Sequence, residues 1–223
     1  MMIRTPGSHE DGSRTAASAE PAPSARPSRG DATREKLLAS GHDLMLARGY
    51  SATSVDDICS ASGVSKGSFY HFFDSKEGFG LAVLEAFHRE GVERVRAGGY
   101  VRIEDPVERL RGFFDHLEAI APEFWAEGCL LGTFAAELGE TSPAIHARVA
   151  ELFDELVARL TPVFLAVVLD EEEAAALAEE TLVVIEGAVI MARAHDDPAR
   201  IATGIRRYRI SLEARIPELS RAS

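Results

Sequence analysis

Apolar side chains recur at helical spacing in the N-terminal part of the chain, starting at Thr33. Leu37, Leu44 and Met45 belong to this pattern, and Gly49 follows it. The spacing places the apolar residues on one face of a helix, and a glycine after the last periodic residue is a common C-terminal stop. The pattern therefore predicts a first helix that begins near Thr33 and ends near Gly49.

The segment before this helix, residues 1–30, has a different character. It is rich in Ser, Ala, Pro, Gly and Arg and shows no apolar period. Such a composition cannot bury enough apolar surface to fold, so we expect a disordered tail. Arg26 and Arg29 lie close to the predicted helix and either contact phosphate or are simply solvated.

A second short helix and a tight turn follow. Ser54 with Asp57 three residues later resembles a capping box, Ile58 belongs to a narrow apolar face, and the helix ends at Gly63. Ser65 is a good N-cap for a third helix. Two short helices joined by a glycine-containing turn indicate a helix-turn-helix, whose second helix lies in the major groove of DNA.

The polar residues of the third helix suit that position. Lys66 and Ser68 lie in its first turn, where they can reach bases or phosphates, and Gly67 lets the helix approach DNA closely at some cost in helix stability. Tyr70 and His71 can each donate a hydrogen bond to a phosphate oxygen.

The apolar residues of the same segment predict its buried side. Phe69, Phe72 and Phe73 recur at positions i, i+3 and i+4 and are expected to face the core. Lys76 follows in the first turn of the next helix, where it is well placed for a phosphate. The alternative is an aromatic-rich helix that only packs under a loop.

The rest of the chain also shows helical periodicity, so the predicted fold is all-α. Asp105 followed by Pro106 marks one helix start, and Pro162 is expected to kink or split another helix. The predicted helices cover residues 75–98, 105–124, 128–139, 142–169, 170–195 and 197–216.

Composition and charge narrow the function classes. The net charge is −12, but residues 1–80 are almost balanced, so a nearly neutral N-terminal module could still approach a polyanion. No apolar run is long enough to cross a membrane, no secretory signal is recognised, and two distant cysteines do not form a disulfide framework, so we expect a cytoplasmic protein. No metal-ligand spacing, cofactor motif or catalytic motif is found, and we expect no metal, cofactor or enzymatic activity.

Residues 33–79 resemble the N-terminal DNA-binding domain of the tetracycline-repressor (TetR) family of bacterial transcription regulators. The segments "ARGY", "TSVDDI", "GVSKGSFYHFF" and "SKEGF" carry the resemblance. It implies a three-helix helix-turn-helix head in residues 31–78 and a larger helical body for ligand binding and dimerisation in residues 79–223. The DNA contacts that it implies come from Thr33, Ser54, Ser65, Lys66, Gly67, Ser68, Tyr70, His71 and Lys76.

The body is expected to form a homodimer. The segment from Leu177 to Ala194 is apolar on nearly every side, so it must be covered all round, and a symmetric partner is the commonest cover. The resemblance likewise implies dimerisation through the last two long helices, which would match two recognition helices to a palindromic operator.

The body also holds the candidate sensor. The segment "EGCLLGTFAAELGE" resembles a subgroup of TetR-like regulators, some of which respond to reactive electrophiles through this cysteine or to acyl-thioester metabolites. Cys129 near a helix N-terminus would have a lowered pKa, whereas the alternative is a buried, inert residue. The candidate ligand-binding residues are Phe113, Phe114, Leu117, Trp125, Cys129, Phe134, Phe153, Glu186 and Ile190.

The sequence thus predicts a ligand-responsive regulator. The choice of a repressor rather than an activator follows from what is usual in the family that the sequence resembles. A small molecule in the body would release the dimer from double-stranded operator DNA, and the helix of residues 75–98 would act as the lever between body and head. The alternative is a helical protein-interaction adaptor or a small all-α enzyme.

Overall fold

The computed structural model describes residues 28–139 and 141–216. Within these residues the fold is all-α, which confirms the prediction, and a short 3-10 helix spans Gly99–Arg102. The helices are α1 (Arg29–Arg48), α2 (Val55–Ser62), α3 (Lys66–Phe72), α4 (Lys76–Arg96), α5 (Pro106–Phe124), α6 (Leu130–Glu137), α7 (Pro143–Val168), α8 (Glu171–Ala194) and α9 (Ala199–Arg215).

Helix α1 begins four residues earlier than predicted. Ser28 and Asp31 form a capping box, in which the Asp31 N–H donates to Ser28 Oγ (3.1 Å) and the Ser28 N–H donates to Asp31 Oδ2 (3.0 Å). Thr33 is therefore not at the helix start but in the second turn, where its hydroxyl donates to the Arg29 carbonyl (2.9 Å). Residues 1–27 of the expected tail lie outside the described residues.

Helices α1 to α3 form the predicted three-helix head. Ser54 and Asp57 make the expected capping box, and Gly63 ends α2 with a φ of 66°, in the left-handed region that favours glycine. Phe69 is fully buried, and its ring packs against Phe73 and against Phe79 of α4. A shared aromatic core thus joins the head to α4.

Phe72 is less buried than expected. It is only half-buried, because α3 has just seven residues and this side chain leaves the helix to one side of the core, toward the start of α1. The three phenylalanines therefore divide between the core and its edge.

Helices α5 to α9 form the body, and α4 connects it to the head. Helix α8 packs against both α7 and α9, and α5 packs against α9. Rings of Phe113, Phe114 and Phe164 lie in the centre of this core. The domain boundary predicted after residue 78 falls inside α4, so the division into head and body stays a prediction.

Of the two outcomes expected at Pro162, a kink or a split of the helix, the split does not occur. Helix α7 runs without interruption through Pro162, although proline removes one backbone hydrogen bond. Packing of α7 along α8 and α6 keeps the helix continuous. Among the described residues, no helix combines the length and apolarity needed to cross a membrane.

Candidate nucleic-acid interface and ligand cavity

The N-terminal half of α3 is presented on the surface. Ser65, Lys66 and Gly67 are exposed, and Ser65 Oγ accepts from the backbone N–H of Ser68 (3.2 Å), which fixes the helix start. Tyr70 (48% exposed) and His71 also face outward. Because Phe69 anchors the opposite side, α3 stands as an exposed rod.

Gly67 has no reason inside the described fold to be glycine. A Cβ atom at this position would meet nothing within 4 Å. Glycine in a helix interior costs about 1 kcal/mol relative to alanine. The absence of a side chain therefore suits a surface against which another molecule packs closely.

Helix α1 contributes to the same face. A shallow depression between the start of α1 and α3 brings together seven polar or glycine residues and Phe72 at its edge; the seven are Arg29, Gly30, Thr33, Ser65, Gly67, Ser68 and His71. Five of them are predicted DNA contacts. Thr33 thus reaches the face from the second turn of α1.

Lys66 is held by an ion pair that the sequence did not predict. Its ammonium lies 2.8 Å from Asp56 Oδ1 of α2, and this partner raises the pKa of Lys66 through a hydrogen bond and its negative charge. Both side chains are largely exposed, so the pair contributes little stability. A phosphate that binds Lys66 would compete with Asp56.

Ser54 and Lys76 lie at the edge of the face and are engaged within the protein. Ser54 Oγ hydrogen-bonds Asp57 Oδ2 (2.6 Å). The Lys76 ammonium lies 4.3 Å from the centre of the Tyr50 ring and 3.4 Å from the Ser51 carbonyl oxygen, and burial lowers its pKa. Both residues must rearrange or share these contacts to bind phosphate.

A cavity of about 270 Å³ lies in the body among α4, α5, α6, α7 and α8. Its walls are mostly apolar, as is usual for small-molecule sites. Five of the nine predicted ligand-binding residues line it: Phe113, Leu117, Trp125, Cys129 and Glu186.

The other four candidates lie elsewhere. Phe114 and Phe134 are buried in the core outside the cavity lining, and Phe153 is half-buried on α7. Ile190 is 66% exposed on α8. Apolar periodicity alone could not separate these positions, because core, cavity and exposed-interface residues share the same spacing.

Three polar lining residues were missed: His88 and Arg96 of α4, and Arg159 of α7. His88 follows the apolar stripe of α4, one residue after Phe87, and Arg96 lies two helical turns further on. For the buried His88 that register was a usable signal, since a polar residue inside an apolar stripe points into the protein, whereas the exposed Arg96 and Arg159 gave no such signal.

Of the two alternatives for Cys129, a thiol with a lowered pKa and a buried residue, the structure agrees with the buried residue. Cys129 caps α6 and is 7% exposed, and burial, together with the nearby Glu186 carboxyl, raises the pKa of the thiol well above its ordinary value. Cys129 and Glu186 are hydrogen-bonded to each other, and burial raises the pKa of Glu186 as well. Desolvation thus outweighs the helix N-terminus.

Helix α6 connects the cavity to the head. It begins after Cys129 and ends at Glu137, whose carboxylate accepts from the backbone N–H groups of Tyr50 (2.8 Å) and Ser51 (2.7 Å) in the α1–α2 loop. These hydrogen bonds lower the pKa of Glu137, although burial opposes them. Helix α6 therefore contacts both candidate sites.

An apolar row is exposed on α8 and α9. Val183 (65% exposed), Ile190 (66%) and Met191 (50%) lie on one side of α8, and Ile210 (59%) lies on α9. Within residues 28–139 and 141–216, no cluster of three or more acidic, His or Cys residues could hold a metal ion.

Comparison with protein families agrees with both parts of the fold. Residues 37–83 match the family described as "Bacterial regulatory proteins, tetR family". Residues 106–204 match the family described as "Transcriptional regulator LmrA/YxaF-like, C-terminal domain".

Individual relatives point the same way. The chain is 36% identical over 124 residues to the HTH-type transcriptional repressor DhaR of Mycobacterium sp. (strain GP1), an alignment that covers 56% of this chain and 61% of DhaR. It is 30% identical over 165 residues to the transcriptional regulator AcuR of Cereibacter sphaeroides, covering 71% of this chain and 75% of AcuR. The alignment with DhaR thus spans less than two thirds of that protein.

A solved structure extends the similarity to the whole fold. The regulatory protein TetR from Rhodobacter sphaeroides superposes with a TM-score of 0.68 at 27% sequence identity. The superposition covers 79% of this chain and 96% of that structure.

Proposed function

Because the chain belongs to the TetR family of bacterial transcriptional regulators, we propose that it is a repressor that binds a palindromic operator as a homodimer and leaves it when a small molecule enters the body cavity. The family consists of regulators rather than enzymes, so the all-α enzyme alternative is set aside. DhaR is itself named a repressor, which supports repression rather than activation for this chain.

One observation carries the proposal: α3 is anchored by Phe69 and presents Lys66, Gly67 and Tyr70 outward, with open space where Gly67 lacks a side chain. A helix with this exposure and a donor-rich N-terminus fits the major groove. An adaptor would have no need of a cationic first turn beside a helix N-terminus.

The homodimer uses the exposed row of α8 and α9. Val183, Ile190, Met191 and Ile210 together form an apolar surface that a second copy would remove from water. A two-fold axis through this row makes the surface self-complementary, so that residue i of one copy meets residue j of the other and the reverse. The resulting dimer carries two heads, which suits a palindromic operator.

Release from DNA follows from the position of the cavity. Helix α4 lines the cavity and also packs against the head through Phe79, while α6 reaches the head through Glu137. A ligand that prefers one spacing of the heads shifts the equilibrium by its difference in affinity, typically about 1–3 kcal/mol.

The inducer is a reversibly bound small molecule, such as an acyl metabolite, rather than an electrophile that alkylates Cys129. The thiolate is the reactive form of cysteine, and burial beside Glu186 disfavours it. Glu186 also holds the thiol proton in a hydrogen bond.

The test is a gel shift with DNA from upstream of the chain's own gene, measured at several salt concentrations. Lys66→Ala should weaken binding to all sequences and reduce the slope of log affinity against log salt by about one, because one phosphate contact is lost. Asp56→Asn, which keeps Lys66 but removes its competing carboxylate, should tighten binding.

Arg200→Ala on α9 is the matched control, since it removes one positive charge from an ion pair far along the chain from the head. It should leave the salt slope unchanged. An unchanged slope in Lys66→Ala would remove Lys66 from the phosphate contacts, and retardation that is neither sequence-selective nor salt-dependent would contradict the repressor proposal.

A further inference from the structure

His88 is a buried polar side chain that the surrounding protein does not satisfy. It is 8% exposed and lines the cavity, and neither ring nitrogen has a hydrogen-bond partner in residues 28–139 and 141–216. Its Nε2 atom lies 3.4 Å from Glu155 Oε2 without hydrogen-bond geometry, while the other oxygen of this carboxylate, Oε1, accepts from Arg148 (3.0 Å). Buried polar groups are normally paired, so a cavity ligand is the natural partner of His88.

Two arginines share this region of the cavity wall. Arg96 and Arg159 line the cavity yet are exposed, so they mark its solvent-facing edge. In the part of the chain that the structure describes, no carboxylate forms an ion pair with either of them. His88 lies on α4 and Arg159 on α7, and both side chains line the same cavity.

The remaining walls of the cavity are suited to the hydrocarbon part of a ligand. Phe87, Phe113, Phe124 and Trp125 supply aromatic surface. Glu186 is the one acidic residue among the lining residues, and its carboxyl is engaged in a hydrogen bond with Cys129. Although the chain carries a net charge of −12, three basic side chains, His88, Arg96 and Arg159, line the cavity against this one carboxyl.

We propose that the cavity binds an amphipathic carboxylate. The hydrocarbon part of this ligand lies among the aromatic side chains, and its carboxylate lies between Arg159 and the His88 ring. This inference rests on the proposed function, because it names the chemical class of the inducer. A carboxylate offers acceptors to both the guanidinium and an imidazole N–H, and charge-assisted hydrogen bonds are the strongest of their kind. A cationic ligand would meet Arg96 and Arg159 at the entrance.

Ligand binding is measured by the fluorescence of Trp125, because it is the single tryptophan of the chain and lines the cavity. The probes are 4-phenylbutanoate, 4-phenylbutanol and 4-phenylbutylamine, which share the same phenylalkyl chain and differ in the polar end group. Titrations of the full chain should show the carboxylate binding at least about tenfold more tightly than the alcohol or the amine.

Two variants locate the carboxylate. Arg159→Gln and His88→Leu should each bring the affinity for the carboxylate to within about threefold of that for the alcohol. Arg89→Gln is the matched control, since it removes the same charge from an exposed position of α4 outside the cavity. It should keep the tenfold preference, and thermal melting of each variant reports whether it is folded.

The outcomes separate this inference from the proposed function, because the titration needs no DNA. Equal binding of alcohol or amine, or an unchanged preference in folded Arg159→Gln, would overturn the carboxylate site while leaving operator binding intact. If the carboxylate binds with the expected preference but does not release the operator in a gel shift, the site stands and its inducer role is wrong.

Discussion

Two glycines illustrate how much a single residue can reveal. At Gly132 of α6, a Cβ atom would lie 2.4 Å from Glu186 Oε2, so glycine is needed for the carboxyl to reach Cys129. At Gly67 of α3 there is open space instead. The first glycine serves a contact inside the protein, and the second, under the proposed function, leaves room for DNA to approach closely.

Cys129 provides a prediction at this scale. Because burial raises the pKa of its thiol, alkylation by N-ethylmaleimide at pH 7 should be at least about tenfold slower than that of glutathione and should accelerate as pH rises toward the raised pKa. Peptide mass spectrometry measures the rate at Cys129 separately from that at Cys59.

Release of the protein from operator DNA by the maleimide is the functional counterpart of the alkylation rate. The maleimide should leave the DNA complex intact at neutral pH in both the wild type and Cys129→Ser. Rapid release in the wild type alone would show that Cys129 is a reactive sensor, contrary to the proposal.

Among the helices, α6 links the cavity of the body to the head. Its eight residues run from Leu130, next to Cys129 at the cavity, to Glu137 at the head, where one carboxylate accepts from two backbone N–H groups. Hydrogen bonds to a charged group are stronger than neutral ones, but partial exposure to solvent reduces their contribution. We therefore expect this contact to stabilise the α1–α2 loop by about 1–2 kcal/mol.

Glu137→Gln should speed amide exchange at Tyr50 and Ser51, because the amide group replaces one acceptor oxygen by a donor. Hydrogen exchange measured by mass spectrometry reports the change. Glu127→Gln, on an exposed loop residue, is the control and should leave the loop unchanged.

The same contact has a defined pH dependence. The folded protein lowers the pKa of Glu137, so its stabilisation is present above the ordinary carboxyl pKa and is lost as pH falls through the lowered value. Loop protection in the wild type should therefore decrease on acidification, and Glu137→Gln should remove that component. Equal exchange in both proteins at neutral pH would contradict the role assigned to Glu137.

At the scale of the whole molecule, the exposed apolar row on α8 and α9 is the dominant surface feature. Four large side chains are at least half exposed there, whereas most of the apolar residues of α7 and α8 are buried or half-buried. Their removal from water would drive association, at roughly 25 cal/mol for each Å² of apolar surface.

Ile190→Asp should raise the dissociation constant of the proposed dimer by at least about tenfold, because its two-fold axis would place the new charge in the interface twice. Analytical ultracentrifugation measures the association. Val101→Asp, on the 3-10 helix and 52% exposed, is the control and should dimerise normally. A dimer unaffected by Ile190→Asp would place the interface elsewhere.

Local features of the amino-acid sequence were enough for the fold class and most of the head. Helical periodicity, the Ser54 capping box, the Gly63 turn and the Ser65 cap each act within a few residues, and the structure contains all of them. The main local error was the start of α1, where Ser28, inside the segment expected to be a tail, caps the helix together with Asp31.

Only the tertiary structure decided which residues share a site. The Lys66–Asp56 pair and the Glu137 contact with the α1–α2 loop join different elements, and the cavity brings His88 of α4 and Arg159 of α7 into one lining. The pKa of Cys129 likewise depends on burial by the whole body, which outweighs the local helix N-terminus. Spacing along one helix determines which face a residue lies on, whereas packing between helices determines what that face meets.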